Sequence, residues 1–325
     1  MTIVKPRDTE FILRAARLYY EKGKSQDQIA KALGTSRSNV SRMLSDAKRL
    51  GFVQIKIVAP ITRHDLLSNQ LRKVLGIADV QVIGSDRSET TLTSVGRAAA
   101  VALTRALKPD TTIAISWGRG VEAAIVEVES ESLTGLKVTQ LMGGLSSVAA
   151  SVTAEELGRT LAQNLHAQFV PLLAPAVVSN PRTRNTLLNE ESISRVLEVS
   201  RTASVALVGI GSHGSTSSEE VLKQFHLTKA QSEHVSKVYA GDISARFYDA
   251  HGKSVSSEMD NRVVGLTLEE ISKIPQVIGV AAGAEKAQGV LGAARARLID
   301  TLVTDVACAT EVLQLLTSSK AAQSA

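Results

Sequence analysis

Two groups of residues in this chain have types and spacings suited to chemistry. The first is a polar run inside residues 25–51, SQDQIAKALGTSRSNVSRMLSDAKRLG, where Ser36, Arg37, Ser38, Asn39, Ser41 and Arg42 cluster. Arginines and small polar side chains hold phosphate oxygens and hydrogen-bond base edges, so that run is suited to duplex DNA. The second is a set of five segments built from glycine and small polar residues. They are Ser116-Trp117-Gly118-Arg119-Gly120, Met142-Gly143-Gly144-Leu145-Ser146-Ser147, Gly209-Ile210-Gly211-Ser212, Ala240-Gly241-Asp242-Ile243 and Ala282-Gly283-Ala284-Glu285-Lys286. Glycine lets the backbone approach a ligand, and a helix start offers free N–H groups to an anion. Lys286 is the one lysine among the five, and it points to an anionic ligand. The six histidines, His64, His166, His213, His226, His234 and His251, fall in no recognisable catalytic motif. His213 is the best placed of them, although Ser212-His213-Gly214-Ser215 also reads as an ordinary loop.

The polar run needs two short helices to present it. Ser25 followed three residues later by Gln28 is a capping box, and Ile29, Ala30 and Leu33 then form an apolar stripe. Gly34 breaks the stripe. Thr35 or Ser36 caps a second helix that Gly51 terminates. On that helix Val40, Leu44 and Ala47 share one face, leaving the polar residues on the others. A second helix with arginines and small polar residues in its N-terminal half is the reading element of a helix-turn-helix. A lead-in helix over 8–22, with Phe11, Ile12, Ala15, Leu18 and Tyr19 apolar, supplies the third member of a trihelical core. Residues 52–58 alternate like a strand, with Gln54 and Lys56 on the polar side, as the wing of a winged helix does. The competing reading is a solvated helical hairpin.

Charge weighs against that reading. Residues 1–60 hold 12 Lys or Arg and 5 Asp or Glu, whereas the other 265 residues hold 25 and 27. The whole positive excess of +5 therefore sits with the motif, as phosphate-backbone binding requires. A chain of 325 residues has room for two domains, drawn here as 1–60 and 61–325. Aromatic residues are only 3%, so aliphatic side chains must build the core. The single cysteine, Cys308, rules out an internal disulfide and suits a reducing cytoplasm; its surroundings read as a buried helix. No apolar run is long enough for a membrane span, and residues 1–11 lack the apolar core of a signal peptide. The expectation is a soluble cytoplasmic protein.

Beyond Pro60 a helix over 64–75 carries more apolar surface than a linker needs. Apolar strand runs then alternate with helical patterns, the strands falling over 79–83, 112–116, 138–142, 168–173, 204–210, 277–281 and 301–303. This order predicts an α/β fold with a doubly wound, mostly parallel sheet, and ligands of such sheets bind beyond the carboxyl ends of the strands. No internal repeat is evident.

The chain resembles the SorC (SorC/DeoR) family of bacterial transcriptional regulators along nearly its whole length. The resemblance rests on QDQIAKALGTSRSNVSRMLSDAKRLGFVQI, ISWGRG at 115–120, QLMGGL at 140–145, LLAPA at 172–176, VGIGS at 208–212, AGDISARFYDAHG at 240–252 and VIGVAAGAEKAQGVLGAARARLIDTLVTD at 277–305. It implies a winged helix-turn-helix joined to a sugar-binding domain related in fold to sugar-phosphate isomerases and deaminases. It further implies binding to double-stranded operator DNA, modulated by a sugar or phosphorylated sugar, in a homotetramer arranged as a dimer of dimers. By position, Gly118, Arg119 and Gly120 form one ligand-facing loop and Gly143 and Gly144 a second. Asp242 is then the acceptor for sugar hydroxyls and Lys286 the cation for phosphate. A second reading stays open for each of the last two: Asp242 as a helix or turn cap, Lys286 as an exposed surface lysine. The chain departs from many relatives in having Arg119-Gly120 where they carry threonine, and Arg119 either contacts phosphate or points to solvent. Trp117 is read as packing beneath its loop. No cofactor, metal ligand set or catalytic residue is expected; the alternative is a sugar-phosphate isomerase or deaminase-like enzyme with a DNA-binding extension.

Overall fold

The computed structural model describes residues 6–55, 60–84, 90–129, 133–145 and 153–323. The chain divides into two compact units, Met1–Ala59 and Pro60–Ala325.

The first unit contains helix α1 (Pro6–Ala16), one π-helical turn (Arg17–Glu21), α2 (Gln26–Leu33) and α3 (Arg37–Arg49). The capping box forms as the spacing requires. The Gln28 backbone N–H donates to Ser25 Oγ at 3.3 Å, and the Ser25 N–H donates to Gln28 Oε1 at 3.0 Å. Gly34 ends α2 in the left-handed region, and Ser36 rather than Thr35 caps α3 through the Asn39 N–H. Ile12, Ala15 and Ala16 of α1 pack with Ile29 and Ala30 of α2 and with Val40, Leu44 and Ala47 of α3. So few apolar side chains make each cap, worth about 1 kcal/mol, a sizeable share of the stability of this unit.

Two expectations change here. Phe11 and Tyr19 lie outside the core, at 42% and 37% exposure. The buried stripe of α1 is centred on Ile12 and Ala15, and the π turn that follows alters the helical phase, so Leu18 rather than Tyr19 reaches the core. Phe52, Val53, Gln54 and Ile55 form no strand, and Lys56, Ile57 and Val58, the rest of the expected wing strand, lie outside the described residues.

The second unit opens with α4 (Asp65–Leu75) and is organised by β1 (Asp79–Ile83), β2 (Thr112–Ile115), β3 (Lys137–Gln140), β4 (Gln168–Val170), β5 (Val205–Gly209), β6 (Gly241–Ile243), β7 (Arg246–Tyr248), β8 (Gln276–Ala281) and β9 (Thr301–Asp305). Seven strands make one sheet in the order β1-β9-β8-β5-β2-β3-β4. Every neighbouring pair of these strands is parallel, as the alternation of strands and helices predicts. β6 and β7 form a separate antiparallel hairpin.

The strand residues show why the sheet is covered on both faces. Successive side chains point to opposite faces. Val80 and Val82 of β1, Ala114 of β2, Ala206 and Val208 of β5 and Leu302 of β9 enter one core. Ile83, Ile113, Ile115, Val205, Leu207 and Val303, their alternates, enter the other. Near-continuous apolar strands are the sequence signature of such double burial. From β2 the chain steps outward to β3 and β4, then returns to β5 on the other side of β2 and proceeds to β8 and β9. The winding therefore reverses between β2 and β5, and a crevice opens beyond their carboxyl ends. No described helix is long and apolar enough to cross a membrane.

Candidate functional site

A cavity of about 360 Å³ occupies that crevice, at the carboxyl ends of β2, β5, β8 and β9. Several helix starts converge on it. Thr91 and Leu92 begin the helix Thr91–Ala106, Arg119 and Gly120 begin Arg119–Ile125, and Ser217 and Ser218 lie in the first turn of Thr216–Lys223. Lys286 directly precedes the helix Ala287–Arg295. The positive ends of helix dipoles favour negative charge. Two of the strand-to-helix turns are possible only for glycine, with φ of 132° at Gly118 and 106° at Gly283. Asp305, at the end of β9, fixes the second of these. Its Oδ1 accepts the Gly283 N–H at 3.0 Å and the Cys308 N–H at 3.1 Å.

The charged groups of the cavity are few and close enough to influence one another. Asp242 of β6 is 8% exposed. Ser218 Oγ donates to its Oδ1 at 2.5 Å, and Tyr239 Oη donates to the same oxygen at 2.7 Å. Burial pushes the Asp242 carboxyl above the ordinary range, against the two hydrogen bonds and the Lys286 charge, which favour the carboxylate. Burial pulls the Lys286 ammonium down, while Asp242 and Glu285 pull it up and Arg119 adds to the lowering. Burial and the neighbouring Asp242 charge raise the Tyr239 phenol. The cavity wall thus holds two cations, Lys286 and Arg119, with the buried carboxylates Asp242 and Asp305 and the more exposed Glu285. Among the described residues no histidine lines it, and no group of His, Cys, Asp and Glu side chains could hold a metal ion.

The structure brings together Gly118, Arg119, Gly120, Asp242 and Lys286 around this cavity. Gly143 and Gly144 are not among its lining residues, although Met142 is. They meet the segment after β4 instead. A Cβ on Gly143 would stand 2.3 Å from the Ala174 carbonyl oxygen. The Gly144 N–H donates to that same oxygen at 2.8 Å, and the Gly144 carbonyl accepts the Ala176 N–H at 2.7 Å. Trp117 both lines the cavity and packs against the two neighbouring cores. Sequence reading missed Ser218, Tyr239, Ser244 and Asp305. Only Asp305 had a local signal, as an acidic residue at a strand end.

In the first unit, Ser36, Arg37, Ser38, Asn39, Ser41 and Arg42 are all exposed on the N-terminal half of α3 and at its cap, opposite the buried Val40, Leu44 and Ala47. Ser36 is committed to capping, with its Oγ also 2.9 Å from Ser38 Oγ. Asn39 Nδ2 donates to Thr35 Oγ1 at 3.1 Å. Arg37 stands 3.8 Å from Asp27 across the turn, both side chains well exposed. Such a pair is weak and leaves the guanidinium available.

Comparison with known proteins accords with this architecture. Residues 59–314 match the family model described as "Putative sugar-binding domain". A sorbitol operon regulator of Klebsiella pneumoniae is 30% identical over 307 residues, covering 92% of this chain and 96% of that protein. A deoxyribonucleoside regulator of Bacillus subtilis is 28% identical over 299 residues, covering 90% and 94%. The crystal structure of the full-length sorbitol operon regulator SorC from Klebsiella pneumoniae superposes with a TM-score of 0.71 at 29% identity, covering 94% of this chain and 99% of that one.

Proposed function

From the premise that this chain belongs to the SorC family of transcriptional regulators with a sugar-binding domain, we propose that it controls carbohydrate genes in response to a phosphorylated sugar. Residues 1–60 act as the DNA-binding domain, through a helix-turn-helix, and residues 61–325 as the effector-binding and oligomerisation domain. Arg37 and Arg42 contact phosphate or guanine edges, and Ser38, Asn39 and Ser41 contact base edges or the backbone. The assembly is a homotetramer, a dimer of dimers, which pairs recognition helices on half-sites about one helical turn apart or a multiple of it.

The observation that carries the effector reading is the cavity beyond β2 and β5, lined by Lys286, Arg119 and the buried Asp242, with Lys286 close enough to Asp242 for each to shift the other. A phosphate takes the cations and the helix starts; the sugar hydroxyls donate to Asp242. Asp242 Oδ1 already accepts two hydrogen bonds, so the sugar is served by Oδ2. The ligand shifts operator affinity by binding one arrangement of the subunits better than another. A thermal-shift screen of sugars beside their phosphates tests this reading. Phosphorylated members should raise the melting temperature at concentrations where the free sugars do not; a free sugar that stabilises as well as its phosphate excludes the phosphate role.

A further inference from the structure

The turn between β6 and β7 carries a feature that the phosphate and Asp242 contacts leave unexplained. Ile243 pairs with Arg246, so Ser244 and Ala245 form a two-residue hairpin loop. Both have positive φ, 52° and 61°. Such loops ordinarily use Asn-Gly or Gly-Gly, since residues with a Cβ are strained there. Ser244 is also 5% exposed, and its hydroxyl has no hydrogen-bond partner. Among the described residues Ser212 and Thr304 share that state, but Ser244 is the one of the three that lines the cavity. A buried hydroxyl left unpaired is costly, and strain together with an orphaned polar group at a cavity wall marks a place where a ligand completes the structure.

We propose that Ser244 is a specificity-determining residue of the effector site, hydrogen-bonding a second hydroxyl of the ligand beside the one that Asp242 accepts. Residues 242 and 244 both line the cavity and are joined by the rigid end of a hairpin. The inference rests on the reading of the cavity as a sugar-phosphate site and adds that the preferred ligand is polyhydroxylated at the part nearest the hairpin. A deoxy sugar phosphate lacking that hydroxyl leaves Ser244 unpaired and binds less well. A serine hydroxyl is both donor and acceptor, so it accommodates a ligand hydroxyl in either role.

The test combines Ser244→Ala with hydroxy and deoxy probes. The probes are ribose 5-phosphate with 2-deoxyribose 5-phosphate, glucose 6-phosphate with 2-deoxyglucose 6-phosphate, glucitol 6-phosphate, and inorganic phosphate. Alanine keeps the Cβ and therefore the turn strain, and removes only the orphaned hydroxyl. The ligand-free variant should melt at or above the wild-type temperature. Its affinity for the best hydroxylated probe should fall about five- to tenfold, as loss of one neutral hydrogen bond requires, with inorganic phosphate affinity unchanged. Unchanged affinity for the best probe, or a lowered melting temperature in the ligand-free variant, overturns the assignment to Ser244. Failure of the wild-type protein to bind any phosphorylated probe overturns the underlying sugar-phosphate reading instead, and the Ser244 role with it.

Discussion

Replacing Lys286 by glutamine isolates the charge on which an anionic effector depends. Lys286 is half-buried at a helix start; burial, with Arg119 adding to it, lowers its ammonium below the ordinary lysine range against the raising influence of Asp242 and Glu285. A phosphate charge about 4 Å from the ammonium would be worth about 4 kcal/mol at an effective dielectric of about 20. The replacement amide still donates hydrogen bonds and water refills part of the space, so the net loss falls in the range of about 1.5–3 kcal/mol measured for hydrogen bonds to charged groups. At about 1.4 kcal/mol per decade, the dissociation constant for a phosphorylated ligand rises roughly 10- to 150-fold. Isothermal titration calorimetry on the full chain measures this, with Lys286→Arg recovering much of the affinity by restoring the charge. Binding of an unphosphorylated sugar should change little. A change of less than about threefold in the phosphorylated ligand, in a variant that melts normally, refutes the role given to Lys286.

Other outcomes follow from the same geometry. Arg42→Ala should weaken operator binding about tenfold and lower the salt slope of log K by about one unit, leaving calorimetric sugar-phosphate affinity intact; an unchanged gel shift at low salt contradicts the contact. Asp242→Asn should alter how stability depends on pH. Because burial raises the native carboxyl, the folded protein binds more protons than the unfolded chain above the unfolded value of about 3.9, so this group makes stability fall as pH rises through the window up to the native value. Urea unfolding of wild type and variant from pH 4 upward should show that descent in the wild type and its loss in the variant. A difference curve that is flat, or rises with pH in that window, contradicts the raised carboxyl.

Much of this architecture can be read from local sequence, and the rest depends on contacts that local sequence does not encode. The capping box of Ser25 and Gln28 and the stop at Gly34 are set by neighbours three to nine residues apart, and they form as the spacing requires. Strands β2, β5 and β8 are apolar because both of their faces are covered, which makes those runs visible without knowing their order. The hairpin of β6 and β7 is invisible for the opposite reason: its strands are three residues long and its turn is Ser244-Ala245 instead of a favoured glycine pair. Gly143 and Gly144 show why a glycine loop alone is ambiguous. The same residue type lines the cavity at Gly118 and admits the approach of the Ala174-Pro175 backbone at Gly143. Ser218 meets Asp242 across 24 positions of sequence, a contact that only the sheet order creates. Tyr19 reads as core because helical spacing does not reveal a π turn.

If the function proposed above holds, ligand binding in the cavity beyond β2 and β5 changes DNA binding by the exposed face of α3. The most direct measurement is a linked titration on the full chain, using an operator fragment selected by the protein from its own upstream DNA and the sugar phosphate that most raises its melting temperature. Operator affinity, followed by fluorescence anisotropy with and without saturating ligand, should change by about 5- to 150-fold. Ligand affinity with and without operator should change by the same factor, since the coupling is reciprocal. Operator affinity that is indifferent to every ligand that stabilises the protein would show that the cavity does not control DNA binding.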